Sequence, residues 1–505
     1  MERFLTRYLH GNASVVHVRG SAFGPEDDHG NKSYHEIATT KVPDWLQKTL
    51  TSVPLTIPFP GTTQARIIQS MTMAHLQIDF SSVEPTQGPL VTGDVTAMIQ
   101  LPKEMQIDLN ITYIDPDAYL YLTQNATKPF ARLHPDLPCP AHTTPPPHDD
   151  DNDHSNRLWK VTSRIIRAPL TVLHHGDFDR FLDQVLNQRN STVYLDGTAH
   201  AMVISEFGRL TVNDLTFNGK IEALGMQGMI HPPPKVTSLT IIKGFPDALQ
   251  VKPRLTITNP SDIDMNLGPT TFAMLYENIE IGNVTIQQLN LLSKTNNVFE
   301  TDGFIFAQPP PQNNNGSFPM VKFIGEYISG LSTELIIAGR KESNRSKFLT
   351  PLMKQLQFLI QVPRFDKQPL LQDIQMNILS STAKIGLRNP FEDIDMRLTT
   401  INASAVYQDQ PIGTMMANFT TEDGHGALEL PPVCDGDDGC TGYRVETSKM
   451  PVSMKKMGWE LISKALGGRI ELDVDSIVNV GIDYFELTGL DYKRKNITAI
   501  VKKSF

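Results

Sequence analysis

Two stretches of the chain carry the same alternation of apolar and polar positions around the same break. RLTITNPSDIDMNLG (254–268) and KIGLRNPFEDIDMRL (384–398) each run as an alternating strand into Asn-Pro and then resume as Ile-Asp-Met with a Leu two residues on. The second copy has one extra residue after its proline. Downstream the frame is kept: Tyr276 and Tyr407 follow, and Gly282 and Gly413 lie six residues further. MIQLPKEMQIDLNIT (98–112) reads as a decayed third copy that keeps Pro102, Ile107 and Asp108. Period-two alternation predicts half-buried strands. Proline removes a ladder donor and keeps the preceding residue out of the α region. The asparagine side chain can then satisfy the broken backbone locally.

After each copy, taken in chain order, apolar residues recur at three and four before alternation returns. Asp177 is placed to cap a helix carrying Phe178, Phe181, Leu182, Val185 and Leu186, followed by the strand STVYLDGTA. Met320, Phe323, Ile324, Tyr327, Ile328 and Leu331 predict a second helix before STELIIAG. Ser453 opens a third with Met454, Met457, Leu461, Ala465 and Leu466, stopped by Gly467-Gly468 before GRIELDVDSIVNVGIDYF. A fourth helix–strand pair stands at the beginning: Pro43, Trp45, Leu46 and Leu50, then VPLTIPF. The fold class expected is mainly β: tandem immunoglobulin/fibronectin-like β-sandwich modules, each with one packed amphipathic helix.

The expected divisions are a module tail at 1–60 and modules at 61–205, 206–342 and 343–505. The chain thus reads as beginning inside a module whose head, with a membrane anchor, lies upstream. The Pro- and Asp-rich stretch 138–156 is expected to be disordered, as an insertion spanning 134–156. QPPPQNNNGS (308–317) and DGDDGCTG (435–442) read as loops at the same point of the later modules.

Charge and chemistry narrow the function. A net charge of −10 and a pI near 5.8 argue against a nucleic-acid partner. Asn-x-Ser/Thr triplets occur at Asn12, Asn31, Asn110, Asn125, Asn190, Asn283, Asn315, Asn344, Asn402, Asn418 and Asn496. Chance would supply about four, so the excess points to a glycoprotein of the secretory pathway or a lytic lumen. Residues 1–30 lack the apolar core of a signal peptide, and no run of apolar residues is long enough to span a bilayer. Either the chain is cytoplasmic or it is the lumenal part of a longer anchored protein. Cys434 and Cys440 flank a Gly/Asp loop and form either a small disulfide or two free thiols, with an oxidising compartment favouring the bridge. Cys139 has no evident partner.

Nucleophile elbows, phosphate loops, dinucleotide fingerprints and zinc spacings are absent, so no catalytic, cofactor-binding or metal-ligating residues are nominated. HDDDNDH (148–154) reads as solvated linker, Asp435, Asp437 and Asp438 as a plain turn, and His174-His175 with Asp177 as a helix start. Asp108, Asp264 and Asp395 fall on the wet face of their strands. The 19 methionines, among them Met71, Met73, Met98, Met105, Met226, Met229, Met415 and Met416 near strands, suit either core filling or an adaptable apolar groove.

The repeated phrase, with Asn259-Pro260, Tyr276 and Gly282 and with Asn389-Pro390, Tyr407 and Gly413, resembles the late-embryogenesis-abundant group 2 domain. Tandem copies with glycan acceptors resemble a fungal family of single-pass vacuolar membrane proteins with such lumenal domains. The likeness covers most of residues 40–495. It implies sandwiches of about seven strands with a groove, a role in holding or conducting lipid, a link to vacuolar regulation of autophagy, and no catalytic residues. A structural scaffold for a protein partner is the alternative, and an enzyme of unknown class the second.

Overall fold

The computed structural model describes residues 11–19, 52–59, 67–81, 88–101, 110–146, 158–205, 208–308, 318–365, 368–420, 426–432, 444–455 and 468–502, with a few isolated positions before residue 85. Near the start, β1 (Ser14–Arg19) pairs antiparallel with β2 (Pro54–Phe59), which is the strand expected from VPLTIPF. The helix expected from Pro43 lies almost wholly outside the described residues.

The first module runs β3 (Ile68–Asp79), β4 (Leu90–Gln100), β5 (Asn110–Tyr121), β6 (Ala131–Leu133), β7 (Cys139–Thr144), β8 (Leu158–Val172), α1 (His175–Asn187), β9 (Asn190–Ser205) and β10 (Gly208–Leu224). The second runs β11 (Lys235–Gly244), β12 (Ala248–Asn259), β13 (Ile263–Asn266), β14 (Thr270–Tyr276), β15 (Ile279–Ile286), β16 (Asn290–Leu291), β17 (Thr295–Glu300), β18 (Asp302–Phe306), α2 (Pro319–Ile328), β19 (Thr333–Ala338) and β20 (Gln357–Val362). The third runs β21 (Leu371–Asn377), β22 (Thr382–Leu387), β23 (Met396–Tyr407), β24 (Gln410–Asn418), β25 (Leu428–Leu430), β26 (Val445–Glu446), β27 (Met450–Met454), β28 (Arg469–Ile482) and β29 (Phe485–Lys502). The helix expected after Ser453 falls on residues outside those described.

All three modules share one strand order. It is β3-β4-β8-β6-β5-β9-β10 in the first, with β7 pairing both β5 and β8. The second gives β11-β12-β18-β15-β14-β19-β20, and the third β21-β22-β27-β24-β23-β28-β29. This is the ABED and CFG order of an immunoglobulin-type sandwich. Here the fourth strand also pairs with the third, so the two layers join into one rolled sheet. In the third module a parallel pairing of β21 with β29, Ile374 opposite Ala499, closes the roll completely. No such ladder joins β3 to β10, or β11 to β20, among the described residues.

The repeated phrase has one geometry in both complete copies. Asn259 and Asn389 are each fully buried. Asn259 Nδ2 donates to the carbonyls of Ile263 and Leu291, both at 2.9 Å, while its Oδ1 accepts from the Ser261 N–H at 3.0 Å. Asn389 Nδ2 donates to Ile394 and Leu430 carbonyls at 2.7 and 2.9 Å, and its Oδ1 accepts from the Phe391 N–H at 2.9 Å. The extra residue of the second copy is absorbed before Ile394. The hairpins that follow also match. Glu277-Asn278 and Gln408-Asp409 all have positive φ, as a two-residue type I′ turn requires. Each pair of strands then takes a bulge in the same place, with Met274 opposite Gly282 and Ala405 opposite Gly413.

The two signature glycines are held differently. A Cβ on Gly282 would overlap the carbonyl oxygen of Phe304, whereas one on Gly413 would meet the Val452 Cγ1 at 3.3 Å. Gly282→Ala is therefore expected to destabilise by about 1–3 kcal/mol and Gly413→Ala by less than about 1 kcal/mol. Denaturant midpoints of the two variants compared with the parent chain test this.

Several expectations need correction. Residues 139–144, inside the stretch expected to be disordered, form β7. The Thr143 hydroxyl accepts from the Ile111 N–H at 2.8 Å, and Ala141 to Thr144 ladder onto β8. Ladder bonds to two neighbours outweigh a proline-rich composition, since Pro140 needs no donor of its own. Residues 147–157, 309–317 and 433–443 lie outside the described residues, as do 102–109 with Pro102, Met105, Ile107 and Asp108. The last strand of the first module ends at Leu224 and that of the second at Val362, so each module keeps a strand that the divisions after 205 and 342 gave to the next. The reason is that the strand after each helix returns as a hairpin. Helix α1 starts at His175, which places Asp177 in its first turn, paired to Arg180 at 3.1 Å, rather than at the cap.

Residues 88–181 and 191–223, with the chain before 79, form one compact unit, and most of the second unit is 224–505. Within that second unit the helix of one module packs on a strand of the next. A Cβ on Gly325 of α2 would overlap the carbonyl of Asp491 in β29. The Ser329 hydroxyl accepts from the Lys493 N–H at 2.9 Å. Rings continue the contact from Phe323 through Tyr327 and Phe365 to Phe391, beside the second Asn-Pro step.

Candidate functional site

The rolled sheet of the first module is hollow. Its strands turn inward-facing residues toward an apolar cavity of about 120 Å³. Three strands each carry one non-glycine residue at positive φ, His75 in β3, Arg167 in β8 and Asp214 in β10. Each inserts one residue into the alternation, so Met71 and Met73 share the inner face with Leu76 and Ile78. Likewise Ile165 shares it with Leu170. Such bulges bend strands and raise their twist, which lets a sheet roll.

The hollow exists because its middle layer is built from small side chains. Ala97, Ala118, Ala199 and Ala201 face it from β4, β5 and β9. In the second module the equivalent interior is filled by Leu255, Met274, Ile305, Leu335 and Ile337, and only about 20 Å³ remains. One end of the first hollow is plugged by aromatic rings. Phe181 of α1 lines it and stacks on Phe130 at 5.3 Å, with Phe178 6.0 Å from Phe181.

The other side opens between β3 and β10. A recess of about 1040 Å³ there shares Met71, Met73, Leu195 and Ile221 with the hollow, so it forms a mouth leading inward. Polar groups rim it: Tyr121, Gln124, Tyr194, Asp196, Asn218, and the ion pair of Lys220 with Glu222 at 2.6 Å. The hydrogen bond that Lys220 donates to the Glu222 carboxylate holds its ammonium above its usual range. Burial, then the charge of Asp196, pushes the Tyr121 hydroxyl up as well. Both therefore stay protonated around neutrality, and Tyr121 can donate to a polar group at the mouth. Met71 guards the seam, its Cβ lying 3.6 Å from where a Cβ on Gly219 of β10 would stand. Met73 lies over Gly93 of β4, where no side chain competes for the space.

The residues read from sequence fall as follows. Met71 and Met73 line the hollow; Met226 and Met229 are buried, and Met416 is exposed. Asn12, Asn110, Asn125, Asn190, Asn402, Asn418 and Asn496 are exposed, and Asn283 is half-buried. Asn344 uses its amide within the fold, donating to the Leu267 carbonyl at 2.7 Å and the Thr270 hydroxyl at 2.9 Å. Asn31, Asn315, Cys434 and Cys440 lie outside the described residues. Cys139 is a buried free thiol, raised in pKa by that burial. Asp264 and Asp395 face away from the core, Asp264 accepting from the Ser293 N–H at 2.7 Å. Among the described residues no group of three or more His, Cys, Asp or Glu could hold a metal ion, and no helix is long and apolar enough to cross a membrane. The small inner alanines, which make the hollow, were not singled out by sequence reasoning; their only signal is Ala at alternating strand positions.

Comparison with known proteins gives a class for part of the chain. Residues 364–432, which contain Asn389, Pro390, Tyr407 and Gly413, match the family described as the Tag1-like fifth LEA-2 like domain. Residues 156–274 match a family described as a protein of unknown function (DUF3712). The first of these matches is consistent with tandem β modules. No curated protein matches. Among solved structures, Escherichia coli alpha-2-macroglobulin activated by porcine elastase aligns at 8% identity and a TM-score of 0.11, over 88% of this chain and 38% of that one. This chain thus spans well under half of that protein's length, and a likeness at that score carries no argument.

Proposed function

We propose that this chain is a non-enzymatic lumenal glycoprotein region of a fungal vacuolar membrane protein, and that its first module holds lipid. The observation that carries the reading is the apolar hollow opening through a polar-rimmed mouth at an unladdered seam. A dry apolar cavity of about 150 Å³ is enough to bind benzene, so a space of this size takes the end of an alkyl chain. Each methylene moved from water into it contributes about 0.8 kcal/mol, or roughly 4–5 kcal/mol for six. The mouth has Asp196 and Glu222 against Lys220, an excess of one negative charge, and favours a neutral or cationic polar end over an anionic one. The second and third modules are joined to each other through α2 and β29. That joint supports a scaffold reading, in which a protein partner docks on the later modules. The family resemblance supports a link to vacuolar autophagy as well.

Lipid extracted from the purified protein and measured by mass spectrometry beside a mock purification is expected to exceed background. Filling the hollow with Ala199→Leu is expected to lower the bound lipid about tenfold while the unfolding free energy stays within about 1.5 kcal/mol of the parent. Background lipid in the parent protein would leave the scaffold reading in place.

A further inference from the structure

In every module one glycan-acceptor asparagine sits on the outer face of the sheet directly across the ladder from a large apolar residue that water reaches. Asn110 of β5 stands opposite Ile204 of β9, with Tyr113 and Met202 paired beside it. These three apolar residues are 39%, 44% and 41% exposed. Asn283 of β15 stands opposite the half-buried Phe304 of β18. Asn402 of β23 is flanked on both sides, by Met416 of β24 and Ile477 of β28, which are 71% and 54% exposed. Directly opposed residues of an antiparallel pair point to the same face with their Cβ atoms about 5 Å apart. A first sugar on the asparagine amide therefore lies over the apolar neighbour. Single exposed apolar residues are ordinary on a protein surface. Their coincidence with an acceptor at the cross-strand position in all three modules is not explained that way. Asn418 shows the contrast, since it stands opposite Thr400.

We infer that Asn110, Asn283 and Asn402 carry N-linked glycans that roof these apolar residues, and that the roofs keep the outer faces of the modules from associating. The inference rests on the lumenal reading above. In the transfer, the amide nitrogen bonds to the anomeric carbon of a polyprenyl-diphosphate-linked oligosaccharide. The carbon–oxygen bond to the diphosphate breaks and the lipid diphosphate leaves. The amide gives up one proton, and nothing is oxidised or reduced.

The test is the full chain secreted from a glycosylating eukaryotic host, with site occupancy read by glycopeptide mass spectrometry. Asn110, Asn283 and Asn402 are expected to be occupied and Asn344 empty. Enzymatic removal of glycans from the folded protein is expected to raise binding of an anilinonaphthalene sulfonate probe at least about twofold and to promote self-association. The same removal from a chain carrying Tyr113→Thr, Met202→Thr, Ile204→Thr, Phe304→Thr, Met416→Thr and Ile477→Thr is expected to raise neither. Glycans at Asn125, Asn418 or Asn496 with none at the three sites would overturn the inference while leaving the lumenal reading intact. So would full occupancy with unchanged probe binding. No glycan at any site overturns both.

Discussion

Replacing Asn389 by alanine is expected to cost the third module about 3–6 kcal/mol. Three backbone groups depend on that one amide: the carbonyls of Ile394 and Leu430 and the N–H of Phe391. The residue is fully buried, so water cannot replace it. Each buried group left without a partner costs roughly 1–3 kcal/mol. Against a typical domain stability of about 5–15 kcal/mol, that loss leaves the module partly unfolded at ambient temperature. Asn389→Asp is expected to be no milder. It keeps an acceptor toward Phe391 but replaces the one nitrogen that makes both donations with an oxygen facing two carbonyls. Asn259→Ala should behave alike, because Ile263, Leu291 and Ser261 stand where Ile394, Leu430 and Phe391 do. Hydrogen exchange on the full chain would localise each loss to its own module. A change below about 1 kcal/mol at either site would mean that the crease is held by packing around the proline instead.

That crease was the most legible part of the molecule, for a local reason. Asn, Pro and the resumed strand are neighbours in sequence, and the side chain satisfies groups mostly within five residues of itself. The helix faces were legible for the same reason, Phe178 to Leu186 and Met320 to Ile328 all being buried as their spacing required. Leu331 is 41% exposed and lies beyond the helix end, where Gly330 takes a positive φ. The candidate site was not legible. Its hollow depends on alanines from three strands that meet only after the sheet rolls. Its mouth depends on a ladder that the first and last strands do not form. The bulges at His75, Arg167 and Asp214 hide the inner face from any strict period of two, and none carries the glycine that would announce it. The strand in the proline-rich stretch was missed because composition reports what a segment prefers alone, while β7 is held by neighbours on both sides.

The seam offers the sharpest control over the proposed lipid site, because it can be shut by one bond. A Cβ at Gly219 would lie 3.6 Å from that of Met71. Natural disulfides have Cβ atoms about 3.5–4.5 Å apart, so Met71→Cys with Gly219→Cys can form a bridge with little backbone movement. It would tie β3 to β10 across a loop of roughly 150 residues, for which chain entropy predicts a gain of about 4–5 kcal/mol in stability, less any strain. The oxidised variant is expected to exclude a fluorescent fatty amine from the hollow and to unfold at a higher denaturant concentration than the parent. Adding reductant should restore uptake to the level of the parent, because removing the Met71 side chain only widens the mouth. Both effects should vanish in either single-cysteine variant. A bridge that forms, stabilises the fold and leaves uptake unchanged would place the ligand's entrance elsewhere than between β3 and β10.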